Sequence, residues 1–254
     1  SFGASSTSSQ SRAYNQWNAG FFGTNLSASS DTPHLSGHRV SNTEYWVLVS
    51  GTAGNNLTKL DIAGATVAPF SAASAAAGIT VTGPTMTTIG SGTNRTAVTV
   101  IGSDLWLGYS GTLKRCVKPT NTSLTVTNTY TPATLETCVD MTTDGTDIYW
   151  LGATKVFKID PTAGTITSSW THSLPGTMFN ICYTGFPAAN AGLQISYNDT
   201  TTTAAVFNAG TSTAHTPIRI DRFNLTGSTR VPGTVINPSI VNSAVTVFCN
   251  AGLI

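Results

Sequence analysis

Charge is what this chain has least of. Lys, Arg, Asp and Glu together make up 9% of its 254 residues, against roughly a quarter in ordinary soluble domains. The formal net charge is +1, so no electrostatic field favours nucleic acid or an anionic membrane surface. Long apolar runs are missing as well: none approaches the ~20 residues of a membrane-spanning helix. No dozen-residue segment carries a helical stripe, and the Ala-rich stretch 71–78 suffices only for a short turn. Ser1–Gln10 has neither the basic nor the apolar segment of a secretory leader. The four cysteines, Cys116, Cys138, Cys182 and Cys249, include no CxxC pair, which excludes a sequence-evident zinc knuckle. Buried thiols are expected in preference to disulfides. Phosphate-binding Gly loops and a Gly-x-Ser-x-Gly elbow are absent.

Thr, Ser, Gly, Asn and Ala fill the space left by charge, and apolar residues still reach 40%, enough for a core. Runs of four to eight residues rich in Thr, Val, Ile, Tyr and Trp alternate with Gly, Asn, Asp, Ser and Pro, which is the pattern of strands and turns. Six sequons, at Asn25, Asn56, Asn94, Asn121, Asn198 and Asn224, matter only in a glycosylating secretory route.

The strand runs repeat. One copy reads Asp147-Ile-Tyr-Trp-Leu-Gly, then Lys155-Val-Phe-Lys-Ile-Asp-Pro-Thr-Ala-Gly164, then a run ending at Trp170. Others start at Glu44, Asp104 and, more loosely, Leu193. A first strand precedes each: His38–Val40, Ala97–Ile101, Cys138–Met141 and Asn180–Tyr183. The fourth strands are expected at Ala65–Ala68, Ser123–Thr127, Thr165–Trp170 and Ser228–Val231. Four-stranded units recurring at this period predict an all-β β-propeller, because a single blade cannot cover its own apolar faces. The C-terminal stretch 238–249 supplies two further strands, and 14–25 lines up with residues 158–169 as the two that are missing. Pairing of N-terminal with C-terminal strands would close the ring and hide its sheet edges. That gives five blades, or six if 198–216 hides a degenerate unit. Residues 12–254 form one propeller domain on this reading, and residues 1–11 a flexible Ser-rich arm.

Asp144-Gly-Thr-Asp-Ile-Tyr-Trp150 and Lys155-Val-Phe-Lys-Ile-Asp-Pro-Thr-Ala-Gly164 resemble the blades of YVTN- and NHL-like propellers. In such blades the turn after the third strand reads Asp-Pro-x-x-Gly, since Pro presets φ, Asp bonds the following backbone and Gly accepts φ > 0. The second unit departs from this with Lys118-Pro-Thr-Asn121, and the fourth with a longer turn from Asp221 to Gly227. The fold hosts enzymes, lectins and scaffolds, so the resemblance implies architecture and no chemistry.

With only 11 acidic residues, each can be weighed. Asp61, Asp160 and Asp221 recur after the third strand and are expected to shape turns. Glu44, Asp104 and Asp147 recur before the second strand, as caps or turn residues. A glycoside hydrolase needs two carboxylates facing across a cleft; Asp140 and Asp144, with Glu136, are the candidates. His34 and His38 have metal-ligand spacing only on a helix, which Pro33, Ser36 and Gly37 oppose. The Asp140–Asp147 segment has the carboxylates and Gly of a calcium loop without its terminal Glu. No catalytic residue, metal or cofactor is therefore assigned. Trp46, Trp106, Trp150 and Trp170 fall at repeat-equivalent places, where blade packing is the first explanation and sugar stacking the second.

These features lead to a non-enzymatic structural and interaction module of an extracellular or virion assembly, with other structural proteins of the same assembly as partners and a host-surface glycan as a further candidate partner. The Thr/Ser/Asn/Gly-rich, charge-poor composition resembles that of tailed-phage virion proteins, for which a capsid or tail component with a decoration or adsorption role is implied. A carbohydrate-binding, lectin-like propeller is the alternative, and a glycoside hydrolase the third reading.

Overall fold

A computed structural model describes residues 34–41, 44–51, 54–61, 80–82, 85–86, 96–119, 124–185, 191–201, 204–208, 211–215, 218–233 and 235–236. Among them there are strands and turns and no helix. The first unit comprises β1 (His34–Ser41), β2 (Glu44–Gly51), β3 (Gly54–Asp61), β4 (Thr80–Thr82) and β5 (Thr85–Met86). The second comprises β6 (Thr96–Ile101), β7 (Asp104–Tyr109), β8 (Thr112–Val117) and β9 (Thr125–Tyr130). The third is β10 (Asp140–Thr143), β11 (Ile148–Leu151), β12 (Lys155–Asp160) and β13 (Thr165–Thr171). The fourth is built from β14 (Met178–Thr184), β15 (Gly192–Asn198), β18 (Ile218–Asn224), β19 (Arg230–Val231) and β20 (Val235–Ile236). Every pairing within a unit is antiparallel; the strands pair in order of sequence, with β15 pairing β18 directly, β5 also pairing β3 and β20 also pairing β18.

Two segments differ from expectation. The strand that pairs with β3 is β4, Thr80–Thr82; the expected strand at 65–68 lies outside the described residues, as do 71–78, the N-terminal arm and both halves of the expected closing blade. The stretch 198–216 contains β16 (Ala204–Asn208) and β17 (Thr211–His215), a hairpin forming its own two-stranded sheet. It is an insertion between the second and third strands of the fourth unit, which explains why that copy is the loosest in sequence.

Burial falls from the first strand to the fourth. All of β10 and β11 is buried on both faces, β12 alternates, and β13 is mostly exposed. In the second unit β7 is buried from Leu105 to Gly108, while β9 is exposed from Thr125 to Thr129. Only a sheet covered on both sides near one end gives this gradient. Strands β1, β6, β10 and β14 lie side by side, and β1 also approaches β10. The first strands thus line one side of the sheets and the fourth strands form the rim, as in propeller blades.

Period-two alternation divides the core among the sheet interfaces. Trp46, Leu48 and Leu57 meet Val98, Val100, Leu105 and Leu107 between the first and second units. Trp106 and Leu113 point the other way, against Met141, Ile148, Trp150 and Phe157 of the third. Tyr149, Leu151 and Val156 then meet Ile181, Leu193, Ile195, Tyr197 and Phe223 of the fourth. Each such side chain contributes about 1.5–3 kcal/mol when fully buried, so no unit is stable without its neighbours.

A second contact repeats at the rim. Tyr130, ending β9, stacks on Trp106 with ring centroids 6.2 Å apart and covers Gly164 in the turn after β12 of the next unit, where any Cβ would overlap the ring. Trp170, in β13, packs on Phe223 at 4.9 Å and covers Gly227 in the same way. Both glycines have positive φ, 68° and 70°, so each turn requires glycine for its backbone and for the ring above it.

Candidate functional site: the axial cluster

The axis is where the polar chemistry is concentrated. Asp140 on β10 is buried, and its Oδ1 accepts a hydrogen bond from Ser36 Oγ on β1 at 2.6 Å. Its Oδ2 accepts from the Ile181 backbone N–H at 3.0 Å and from Asn180 Nδ2 at 3.2 Å, both on β14. Ser36 Oγ in turn accepts the Val98 N–H of β6 at 3.0 Å. One carboxyl and one hydroxyl therefore tie together the first strands of four units. Thr99 Oγ1 meets His38 Nδ1 at 3.1 Å, and Thr142 Oγ1 accepts the Tyr183 N–H at 3.1 Å, adding one link on each side. Such buried polar groups are stable only because they are mutually satisfied. Burial pushes the Asp140 carboxyl up to about 6 against the pull of its hydrogen bonds. Burial and the nearby Lys118 take His38 down to about 4, opposed by Glu44.

The other two carboxylates considered for hydrolysis are engaged elsewhere. Asp144 Oδ1 accepts the N–H groups of Thr146 and Asp147 at 2.9 and 2.8 Å, and its Oδ2 accepts Tyr149 Oη–H at 3.0 Å. This is a turn between β10 and β11, the alternative expected for the calcium-like segment. Glu136 accepts the Thr154 N–H at 2.8 Å, the Thr154 hydroxyl and the Lys155 N–H. Partial burial opposes its ionisation, but these hydrogen bonds prevail and hold it below the usual range. Asp140, Asp144 and Glu136 share no partner.

The recurrent acids before the second strand form ion pairs. Asp104 pairs with Arg115 at 2.5 Å and Asp147 with Lys158 at 2.8 Å, each within one unit, whereas Glu44 reaches Lys118 of the next unit at 2.7 Å. Asp160 makes the expected turn, accepting the N–H groups of Thr162 and Ala163. Asp221 does not. It lies inside β18, fully buried, and binds Arg230 Nε at 2.7 Å, Gly233 N–H at 2.9 Å and Tyr197 Oη–H at 3.2 Å. The turn of that unit is closed instead by Asn224, whose carbonyl accepts the Gly227 N–H. The side chain of Asp61 lies outside the described residues.

Three of the four tryptophans weighed as glycan contacts are in the core: Trp46, Trp106 and Trp150 are at most 2% exposed. Trp46 Nε1 donates to Glu44 at 2.7 Å and Trp150 Nε1 to the Glu136 carbonyl at 3.0 Å; Arg115 lies over the Trp106 ring at 5.8 Å. Trp170 is half-buried and keeps part of its ring at the rim. Cys116, Cys138 and Cys182 are buried thiols, and burial pushes Cys116 up to about 12, which makes it a poor nucleophile. Cys249 lies outside the described residues. His34 and His38 sit on a strand, not a helix, and no cluster of three metal-ligating side chains occurs among the described residues. His172 is buried and accepts the Leu174 N–H at Nδ1.

No protein-family model matches the chain, and no curated protein sequence matches it. Solved structures do. A GH43 glycoside hydrolase engineered for both endo-xylanase and exo-arabinofuranosidase activity superposes with a TM-score of 0.47 at 11% identity, over 81% of this chain and 42% of its own. A plant albumin from Cicer arietinum showing hemagglutination gives 0.43 at 13% identity, over 80% and 95%. YCF48 bound to D1 peptide gives 0.39 at 9% identity, over 82% and 68%. This chain spans less than half of the hydrolase it resembles.

Proposed function

We propose that this chain is a non-enzymatic structural and interaction module: a β-propeller carried in a larger extracellular or virion assembly, as a phage capsid or tail component with a decoration or adsorption role. One observation carries the reading. Every carboxylate whose side chain is described is committed to an axial knot, a turn or an ion pair, and none opposes another as hydrolysis of a glycosidic bond demands. The rim supports it further. Residues 125–130 and 165–171 present exposed Thr, Ser and Asn with no charge, a surface suited to hydrogen-bonded packing against another protein. Its partners are other structural proteins of the same particle, and the near-zero net charge argues against nucleic acid.

The second reading is a lectin-like propeller. It rests on Trp170, the ring that is not wholly committed to the core, and on the amphipathic character that lets such a ring stack on a sugar. A glycan array probed with the purified chain and with Trp170→Ala separates the two. The structural reading predicts the same response from both proteins, with no signal that depends on Trp170. A signal from the parent that disappears in Trp170→Ala would replace it with the lectin reading.

A further inference from the structure

The inserted hairpin belongs to no blade. The other units pass from second to third strand through residues 52–53, 110–111 and 152–154, whereas the fourth takes residues 199–217. The base of that insertion is fastened. Asp199, buried, accepts the Thr201 N–H at 3.0 Å on the way out and Arg219 Nε at 2.9 Å on the way back. Beyond this base β16 and β17 form a separate sheet, and neither pairs with or lies along any other described strand. Two antiparallel strands are marginal by themselves and gain stability from a third and a fourth.

The edges of the hairpin are also unguarded. An exposed strand edge is a template for pairing unless charge, proline or a bulge spoils it. The rim strands β9 and β13 each carry a bulge, at Thr127 and Thr167. The hairpin has none: its register runs unbroken from Ala204↔His215 to Asn208↔Thr211. Residues 200–216 contain no Lys, Arg, Asp, Glu or Pro. A fitting partner is another uncharged strand, and a second copy of this hairpin supplies one, because antiparallel pairing of identical strands is its own match under a two-fold axis. Composition selects the edge. Strand β16 reads Ala204-Ala-Val-Phe-Asn208 and β17 reads Thr211-Ser-Thr-Ala-His215. Pairing through β16 puts the apolar strand in the middle of the sheet and leaves the polar strand outermost, where water meets it.

We propose that the hairpin is a self-association arm: β16 of one copy pairs antiparallel with β16 of a second copy about a two-fold axis at Val206, giving a four-stranded sheet in the order β17-β16-β16-β17. Ala204 then stands opposite Asn208 of the second copy, and Ala205 opposite its Phe207. The contact deepens the assembly reading and rests on it for a setting in which copies stand side by side. A pair of strands of 5 residues each is far smaller than a standard interface, so it is weak between free chains and strong where many copies are linked.

The test is oxidation of Val206→Cys and Thr213→Cys in the full chain at high protein concentration, read against the parent on non-reducing gels. Directly opposed residues at the two-fold axis have Cα atoms about 4.5–5.5 Å apart, within disulfide reach. Thr213 pairs with Val206 inside the hairpin and so stands about 14 Å from its own copy, three strand spacings away. Val206→Cys is expected to yield a disulfide-linked dimer, and Thr213→Cys no more dimer than the parent. Equal yields from the two variants, or none from Val206→Cys, overturn the proposal. Hydrogen exchange of the parent needs no variant: protection of the amides of residues 204–208 is expected to rise with protein concentration, and protection independent of concentration overturns the pairing. Either failure leaves the assembly reading standing, since that reading is tested separately by the mass of the particle.

Discussion

Gly164→Ala tests how the blades mesh. The residue has φ 68° and lies under the Tyr130 ring of the preceding unit. Placing an L side chain in this region costs about 1–2 kcal/mol. The new methyl also overlaps the ring, and forcing a group into a filled contact costs about 1–3 kcal/mol more. Displacing Tyr130 weakens its stack on Trp106, a further 0.5–1.5 kcal/mol or so. The total is about 3–6 kcal/mol, a large part of the stability of an ordinary domain. Gly102→Ala is the control: its φ is 58° and nothing lies within 4 Å of a Cβ there, so only the backbone cost of about 1–2 kcal/mol applies. The assay is urea unfolding of both variants, with Tyr130→Ala made in each background. Gly164→Ala in the Tyr130→Ala background is expected to cost no more than Gly102→Ala, a coupling of about 2–4 kcal/mol. Equal costs for Gly164→Ala and Gly102→Ala in the parent, or no coupling to Tyr130, would refute the inter-blade contact.

Three further outcomes follow from the same structure. Asp140→Ala orphans the Ser36 hydroxyl, the Ile181 N–H and an Asn180 N–H, and is expected to cost about 3–5 kcal/mol in a denaturant melt at pH 7. Asp140→Asn, which keeps one acceptor, should cost markedly less at that pH. Arg230→Met leaves the fully buried Asp221 without its cation; a loss of about 3 kcal/mol or more is expected in the same assay, and a change under 1 kcal/mol would mean that Tyr197 and Gly233 suffice. Deleting residues 1–25 should abolish cooperative unfolding, whereas deleting 1–10 should leave a stable monomer by calorimetry. An unchanged melting temperature in the longer deletion would contradict the composite closing blade.

The fold was legible because the repeat is written in strand-forming residues. The first strands expected at 38–40, 97–101 and 180–183 fall within β1, β6 and β14, and that at 138–141 overlaps β10, which starts at Asp140. In the first unit the strand described as pairing with β3 is Thr80–Thr82, for which the sequence offered no signal beyond β-propensity, while the expected strand at 65–68 lies outside the described residues. Asp221 was read as a turn residue by its sequence offset; the inserted hairpin and the absence of an Asp-Pro step were the signs that its unit is spaced differently. The ion pairs were missed although an acid before the second strand and a base on the third recur in two units. The rim contact also had a signal, the match of Thr125-Val-Thr-Asn-Thr-Tyr130 to Thr165-Ile-Thr-Ser-Ser-Trp170, each with an equivalent bulge at Thr127 or Thr167. The axial knot had none. Ser36, Val98, Asp140 and Ile181 are far apart in sequence, and a lone Asp on a strand looks the same whether it faces a cleft or four other strands.

The most direct test of the structural assignment is the mass of the native particle that carries this chain, by gentle fractionation and electron microscopy. The account predicts a large ordered particle in which the propeller occupies repeated positions. A free monomer at the chain mass of 26.3 kDa, with no particle retaining it, would contradict the account.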